Sequence, residues 1–163
     1  MRWTLRSLLA VVILAAVVAA IVMPMMERTR RLERTTGCVS NFSNLWKMQH
    51  NYMVTYGGES RTLLVETGGD FWLELTQTTP PLIDSTLNDI FLCPVRRSTD
   101  RRTDYRGPAS NANRLADGDP VGADIDGNHG RGEGGNVLRK SGDVQTASAD
   151  DPMWLRAAVT TRP

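Results

Sequence analysis

Cysteine and histidine are scarce in this chain of 163 residues, which contains two of each. Cys38 and Cys93 stand alone without a CxxC spacing, so we expect no zinc site from them. No HxH or HExxH pattern is present to place two histidines on one ligand face. The sequence also lacks a Gly-x-Ser-x-Gly nucleophile elbow, and its glycine-rich run 130–135 lacks the Lys-Ser/Thr that completes a phosphate-binding loop. We therefore predict that the protein is not an enzyme.

A large charge of either sign is also absent, because the formal net charge is only +1. Asp100 and Asp104 partly neutralise a local group of arginines, and Tyr105 is the only aromatic residue among them. Sites for single-stranded nucleic acids combine basic and aromatic side chains, so we interpret this group as a solvated loop and expect no nucleic-acid partner. Its arginines are Arg96, Arg97, Arg101, Arg102 and Arg106.

Charged residues are missing altogether from residues 7–26, an apolar run of about 20 residues that can span a bilayer as a helix. Basic residues flank the run on both sides, so the positive-inside rule does not fix its orientation. A cleaved signal peptide, with small residues at 18–20, is the alternative. The apolar run continues past that point to Met26, which favours an uncleaved anchor.

A second helix is predicted directly after this run, without a turn signal between them. Mostly apolar residues recur there every three or four positions, as on one helix face, and Gly57-Gly58 is a good stop signal. We predict a membrane anchor with a basic juxtamembrane segment at residues 1–35, and a domain at 36–163 whose helix 36–56 continues the anchor. The recurring residues are Cys38, Phe42, Leu45 or Trp46, Gln49, Tyr52 or Met53, and Tyr56.

Short elements and turns are predicted beyond residue 60. The segment 107–135 is rich in Gly, Asp and Asn and predicts a long loop. The other predictions are a strand at 61–65, a strand or helix at 70–75, a short buried strand at 90–93, a hairpin of 136–138 with 142–145, and a final helix at 154–159.

The two cysteines both follow the apolar run. If the domain lies outside the cytoplasm, Cys38 and Cys93 are free to form a disulfide. That bond would close a loop of roughly 55 residues and would contribute about 4 kcal/mol in the chain-entropy treatment. The alternative is a pair of buried free thiols.

A candidate cation site lies in the Asp-rich loop 117–129. Hard oxygen ligands at alternating positions suit calcium, and Asp124, Asp126 and Asn128, with His129 beside them, form the candidate ligand set. The spacing is not that of an EF-hand, because Gly127 falls at the fourth position and Gly135 at the twelfth. The alternatives are that Asp, Asn and Gly simply form turns, and that His129 hydrogen-bonds the backbone before the hairpin.

The N-terminal segment resembles that of bacterial prepilins. Residues 2–7 align without a gap with the prepilin hexapeptide Gly-Phe-Thr-Leu-Ile-Glu, and Pro24 falls on the proline of the prepilin helix. Arg2 replaces the glycine before the cleavage site, Ser7 replaces the glutamate, and Arg6 introduces a charge. These departures argue against prepilin-peptidase cleavage and ordinary filament assembly.

The rest of the chain resembles a large group of prepilin-like proteins, because several short motifs occur in the same order. This resemblance implies a pilin-like α+β fold, in which a long N-terminal helix packs on a small antiparallel sheet with long loops. The matching motifs are residues 38–42, His50-Asn51-Tyr52, Cys93-Pro94, residues 104–108, Asp124, Asn128-His129-Gly130, residues 135–138 and residues 142–144.

The resemblance also implies a function. A pseudopilin of type II secretion or a type IV pilus protein is a single-pass protein of the bacterial inner membrane with a periplasmic domain. Its partners are the bilayer and other pilin-like subunits, which it contacts through its helix. The residues expected on the assembly helix are Leu8, Leu9, Pro24, Phe42 and Leu45. The alternative is an anchored binding module that uses the loop 117–129 for calcium or a small ligand.

Overall fold

The computed structural model describes residues 5–57, 61–96, 102–130 and 132–163, without the side chains of residues 5–8, 27–28, 30–34 and 85. The predicted processing residues 2–4, Gly58, and Arg97 and Arg101 of the basic group lie outside the described residues. The chain divides into two units, Met1–Glu33 and Arg34–Pro163, and each is described by itself.

The described part of the first unit belongs to helix α1, Leu5–Thr55. Within it, the 18 residues Leu9–Met26 have a mean hydropathy of 2.8, and none of them is buried inside the protein. At 1.5 Å per residue they extend over about 27 Å, close to the thickness of a bilayer's hydrocarbon core. The helix is therefore long and apolar enough to span a membrane, and Pro24 lies inside it.

The second unit begins with the remainder of α1, which has one apolar face. Cys38, Phe42, Leu45 and Gln49 are fully buried, and their spacing of three or four residues places them on one side of the helix. The Gln49 amide donates a hydrogen bond of 2.7 Å to the Phe71 carbonyl oxygen, so the buried polar side chain has a partner for its nitrogen. The predicted amphipathic helix is thus confirmed.

A five-stranded antiparallel sheet forms the other half of this unit, in the order β4-β3-β2-β1-β5. The strands are β1 Tyr105–Pro108, β2 Pro120–Asp124, β3 Gly135–Arg139, β4 Val144–Ala147 and β5 Thr161–Arg162. Two further helices are α2 Asp70–Leu73 and α3 Pro152–Thr160, with short 3-10 helices at Glu74–Thr76, Ser85–Phe91 and Ala112–Arg114. The coarse α+β prediction is confirmed.

The central strand β2 is buried along its whole length because two hydrophobic clusters cover it. In the larger cluster, the rings of Phe42 and Trp72 pack directly against Gly122. A Cβ at this position would lie 2.7 Å from the Trp72 ring. The smaller cluster joins Ala123 to Trp154 of α3. The chain therefore places β2, and the Asp124 that ends it, between two covering layers.

The hairpin of β3 with β4 and the final helix α3 confirm the sequence predictions, and residues 70–75 take the helical alternative. The predicted strand at 61–65 is wrong, because the segment has no regular secondary structure. The predicted strand at 90–93 is also wrong, since Ser85–Phe91 forms a 3-10 helix that begins with the Asp84 side chain accepting from the Thr86 amide. The predicted long loop at 107–135 is interrupted by β2. Burial stabilises this strand, although its residues have only a weak local preference for strand structure.

The close contact between Gly107 of β1 and the backbone of Gly68 leads to a stability prediction. A Cβ added at Gly107 would collide with the Gly68 carbonyl oxygen, which is backbone and has little room to move. We expect Gly107→Ala to lower the free energy of unfolding by about 3 kcal/mol, from overpacking and the displaced strand. The matched control is Gly118→Ala, where nothing lies within 4 Å of the added carbon. Urea unfolding of the full chain in detergent measures both, and equal effects would contradict this packing.

Candidate functional site

Three side chains with metal-ligating or nucleophilic atoms meet inside the domain. Cys38 lies on α1, Cys93 follows the 3-10 helix Ser85–Phe91, and His129 follows the turn after β2. One ligand atom from each lies within 4.8 Å of the other two. The expectation of no zinc site considered only the local CxxC spacing, whereas the fold brings a histidine to the two sulfurs.

The cysteine pair is not bonded in this structure. The two Sγ atoms are 3.3 Å apart, compared with about 2.05 Å in a disulfide, and both residues are fully buried. The disulfide prediction is therefore not met here, and the alternative of two buried free thiols describes the pair. The Cys38 thiol donates to the Cys93 sulfur, which lowers the pKa of Cys93 to about 7 and raises the pKa of Cys38.

Asp124, at the end of β2, is the polar centre of the site. Its fully buried carboxylate accepts two hydrogen bonds from Asn136, one from the backbone N–H at 2.7 Å and one from the side-chain NH2 at 2.9 Å. The same oxygen lies 2.8 Å from Nε2 of His129. This hydrogen bond raises the pKa of His129 above its ordinary value. The carboxylate therefore fixes the orientation of the ring and ties it to β3.

The four residues predicted as calcium ligands differ in burial and in their hydrogen-bond partners. Asp126 is exposed, whereas Asp124 is buried and engaged by His129 and Asn136. Asn128 turns its amide nitrogen to the Asp104 carbonyl oxygen at 2.8 Å. In the described part of the chain, Cys38, Cys93 and His129 are the only group of three or more Cys, His, Asp or Glu ligand atoms in mutual reach. A calcium site in this loop stays a prediction without added support.

Asp104 and Tyr105 are site residues that the sequence reasoning missed. The Asp104 carboxylate accepts from the Cys93 amide at 3.0 Å, and the buried Tyr105 hydroxyl donates to the Leu92 carbonyl oxygen at 3.2 Å. Asn41 of α1 donates to the same hydroxyl at 3.1 Å. Burial raises the pKa of Tyr105, which keeps it a neutral donor. The Asp-Tyr motif was visible in the sequence, but nothing there indicated that it holds the chain around Cys93.

The order thiol, imidazole and carboxylate also matches a nucleophile, its base and the group that orients the base. Cys38 and Cys93 are both fully buried, however, so a substrate does not reach either sulfur in this conformation. Reactive cysteines are at least partly exposed. The arrangement therefore suits an internal structural role better than catalysis.

The predicted assembly residues fall into two groups. Leu9 and Pro24 are exposed within the apolar segment of α1, whereas the side chain of Leu8 lies outside the described residues. Phe42 and Leu45 are fully buried in the core of their own domain, where Phe42 lies against Trp72 and Tyr105. We therefore remove Phe42 and Leu45 from the candidate contact surface, because their apolar area is already covered.

Comparison of the chain with protein-family models, with curated proteins and with solved structures gives no match in any of the three.

Proposed function

We propose that this protein is a single-pass, pilin-like accessory subunit of a bacterial secretion or pilus system. Its apolar helix remains in the inner membrane, and the domain formed by residues 34–163 lies in the periplasm. The protein acts without catalysis, by packing its helix against the helices of other pilin-like subunits.

The proposal rests on the difference in exposure between the first and the later part of α1. Its first part presents an uninterrupted apolar surface, with Leu14 65% and Met23 66% exposed. Its later part has a buried face that packs into the α+β domain. Exposed apolar surface of this extent is stable only where lipid or another apolar helix covers it. A pilin-like subunit requires both properties of one helix.

The departures from the prepilin pattern support an accessory role. Ser7 stands where prepilins carry the glutamate that is thought to pair with a neighbouring subunit's N-terminus, and Arg2 stands where they carry the glycine before the cut. A chain without these groups lacks the charge pair expected in a filament. Its contacts would then depend on van der Waals packing within the bilayer, where shape and small residues decide the partner.

Photo-crosslinking in native membranes tests this proposal. A photoreactive amino acid is placed at Val12 or Val17, which are exposed in the apolar segment, and at Val54, which is exposed near the end of α1. We expect adducts from Val12 and Val17 with a protein that carries a prepilin-type apolar helix, identified by mass spectrometry, and none with that helix from Val54. Adducts with lipid alone at both span positions would contradict the assembly role.

A further inference from the structure

The buried cluster of Cys38, Cys93 and His129 joins three segments that are far apart in sequence. One cysteine belongs to α1, the other follows a 3-10 helix, and the histidine follows β2. Their ligand atoms lie within 4.8 Å of one another, and the His129 side chain is 12% exposed while both cysteines are fully buried. Two soft sulfurs and an imidazole form a donor set that zinc prefers in proteins.

The spacing of the sulfurs is close to that of a metal-bound pair. With Zn–S bonds of about 2.3 Å, two thiolates on a tetrahedral ion lie roughly 3.7 Å apart. The Sγ atoms of Cys38 and Cys93 are 3.3 Å apart, so they need to separate by only about half an ångström. A metal ion bound by both sulfurs would displace two thiol protons, including the one that now lies between them.

The environment of His129 is that of a metal ligand. A histidine that binds a metal through one ring nitrogen commonly donates its other N–H to a carboxylate. Nε2 of His129 lies 2.8 Å from the buried Asp124 carboxylate, which leaves Nδ1 as the nitrogen with a lone pair. The Asn136 amide and side chain hold Asp124 in place from β3.

Two buried carboxylates hydrogen-bond residues of the cluster, and each leaves one of its oxygens without a partner. Oδ1 of Asp104 and Oδ1 of Asp124 are buried and have no hydrogen-bond partner among the described residues. The other oxygen of Asp104 accepts from the Cys93 amide, so this carboxylate adjoins the cysteine pair. A buried carboxylate oxygen without a donor is costly, so each of these two oxygens favours a neighbouring group that donates a hydrogen bond, such as a metal-bound water.

We propose that Cys38, Cys93 and His129 form a Cys2His site for a zinc ion, with Asp124 as the residue that positions His129. The site goes beyond the proposed assembly role. The ion takes two thiolates and one neutral imidazole from the protein, and water occupies its fourth position. Zinc ties α1 to the two loops and so stabilises the folded domain. Binding also protects the thiolates, because ligation and disulfide formation compete for the same sulfurs.

The test is zinc binding by the full chain, purified in detergent under anaerobic reducing conditions and stripped of metal. We expect one zinc per chain by mass spectrometry of the metal content, a higher Tm with zinc, and thiolate-to-metal charge-transfer absorption when cobalt replaces zinc. Cys93→Ser and His129→Gln should each weaken zinc binding at least tenfold, and Asp124→Asn about 10–100-fold. The matched control is His50→Gln, which removes the other histidine and should leave zinc affinity unchanged.

Three results would overturn the zinc site. The first is a reduced wild-type chain that binds no zinc at micromolar concentration, which requires no variant to fold. The second is zinc binding that is unchanged in both Cys93→Ser and His129→Gln. The third is a chain isolated from its own membrane with Cys38 and Cys93 oxidised to a disulfide and no zinc bound. None of these outcomes bears on the crosslinks of the apolar segment.

Discussion

Asp124→Ala is expected to lower the free energy of unfolding by about 3–5 kcal/mol, since it removes a buried charged acceptor and leaves its donors unpaired. Three donors lose their partner: the Asn136 amide, the Asn136 side chain and the His129 ring. These groups lie at or beside the junction of β2 and β3, so the loss also loosens the sheet. Denaturant unfolding of the full, metal-free chain in detergent gives the free energy directly.

Asp126→Ala is the matched control for this prediction. Asp126 lies two residues further along the chain but is exposed, so we expect a change within about 0.5 kcal/mol. Asp124→Asn separates charge from hydrogen bonding, because an amide oxygen still accepts from the Asn136 backbone. If Asp124→Ala and Asp126→Ala change the free energy of unfolding equally, Asp124 is not the polar centre of the site.

Two arginines in the middle of the apolar segment are expected to remove the protein from the membrane. Val17 and Val18 lie at the centre of Leu9–Met26 and are 51% and 52% exposed. An arginine at the centre of a spanning helix costs about 2.5–3.5 kcal/mol, so Val17→Arg with Val18→Arg costs roughly 5–7 kcal/mol. We expect the fraction resistant to carbonate extraction to fall at least 100-fold.

The control pair carries the same charge outside the segment. Val54 and Val65 are exposed at 72% and 58%, and neither lies in the apolar run. Val54→Arg with Val65→Arg should leave membrane integration as it is in the unsubstituted chain. Equal loss from the membrane in both double variants would mean that added positive charge, and not the apolar span, governs the distribution.

The elements that the sequence predicts well are those with a strong local pattern. The apolar run is long enough to predict a spanning helix, and the face of Cys38, Phe42 and Leu45 repeats with helical spacing, from which its burial follows. The β3–β4 hairpin has short apolar strands around Gly142, whose φ of +93° suits a tight turn. In these segments local preference and tertiary packing favour the same structure.

The missed elements are those that only the tertiary structure specifies. Strand β2 contains Gly122 beneath Trp72, and its Gly and Asp residues predict a loop when taken alone. The cysteine–histidine cluster is equally hidden, because Cys93 and His129 are brought together by the packing of separate segments. Short-range spacing rules find sites within one segment, so a site built from three segments escapes them.

Membrane anchoring by an uncleaved helix is tested by the mass and N-terminal peptide map of the protein recovered from carbonate-washed membranes. We expect the protein to stay in the membrane pellet and its chain to retain the apolar segment, residues 7–26, uncleaved. A soluble chain that begins near residue 21 would contradict membrane anchoring, because the apolar segment would then be a signal peptide and no membrane-spanning helix would remain to pack against other subunits.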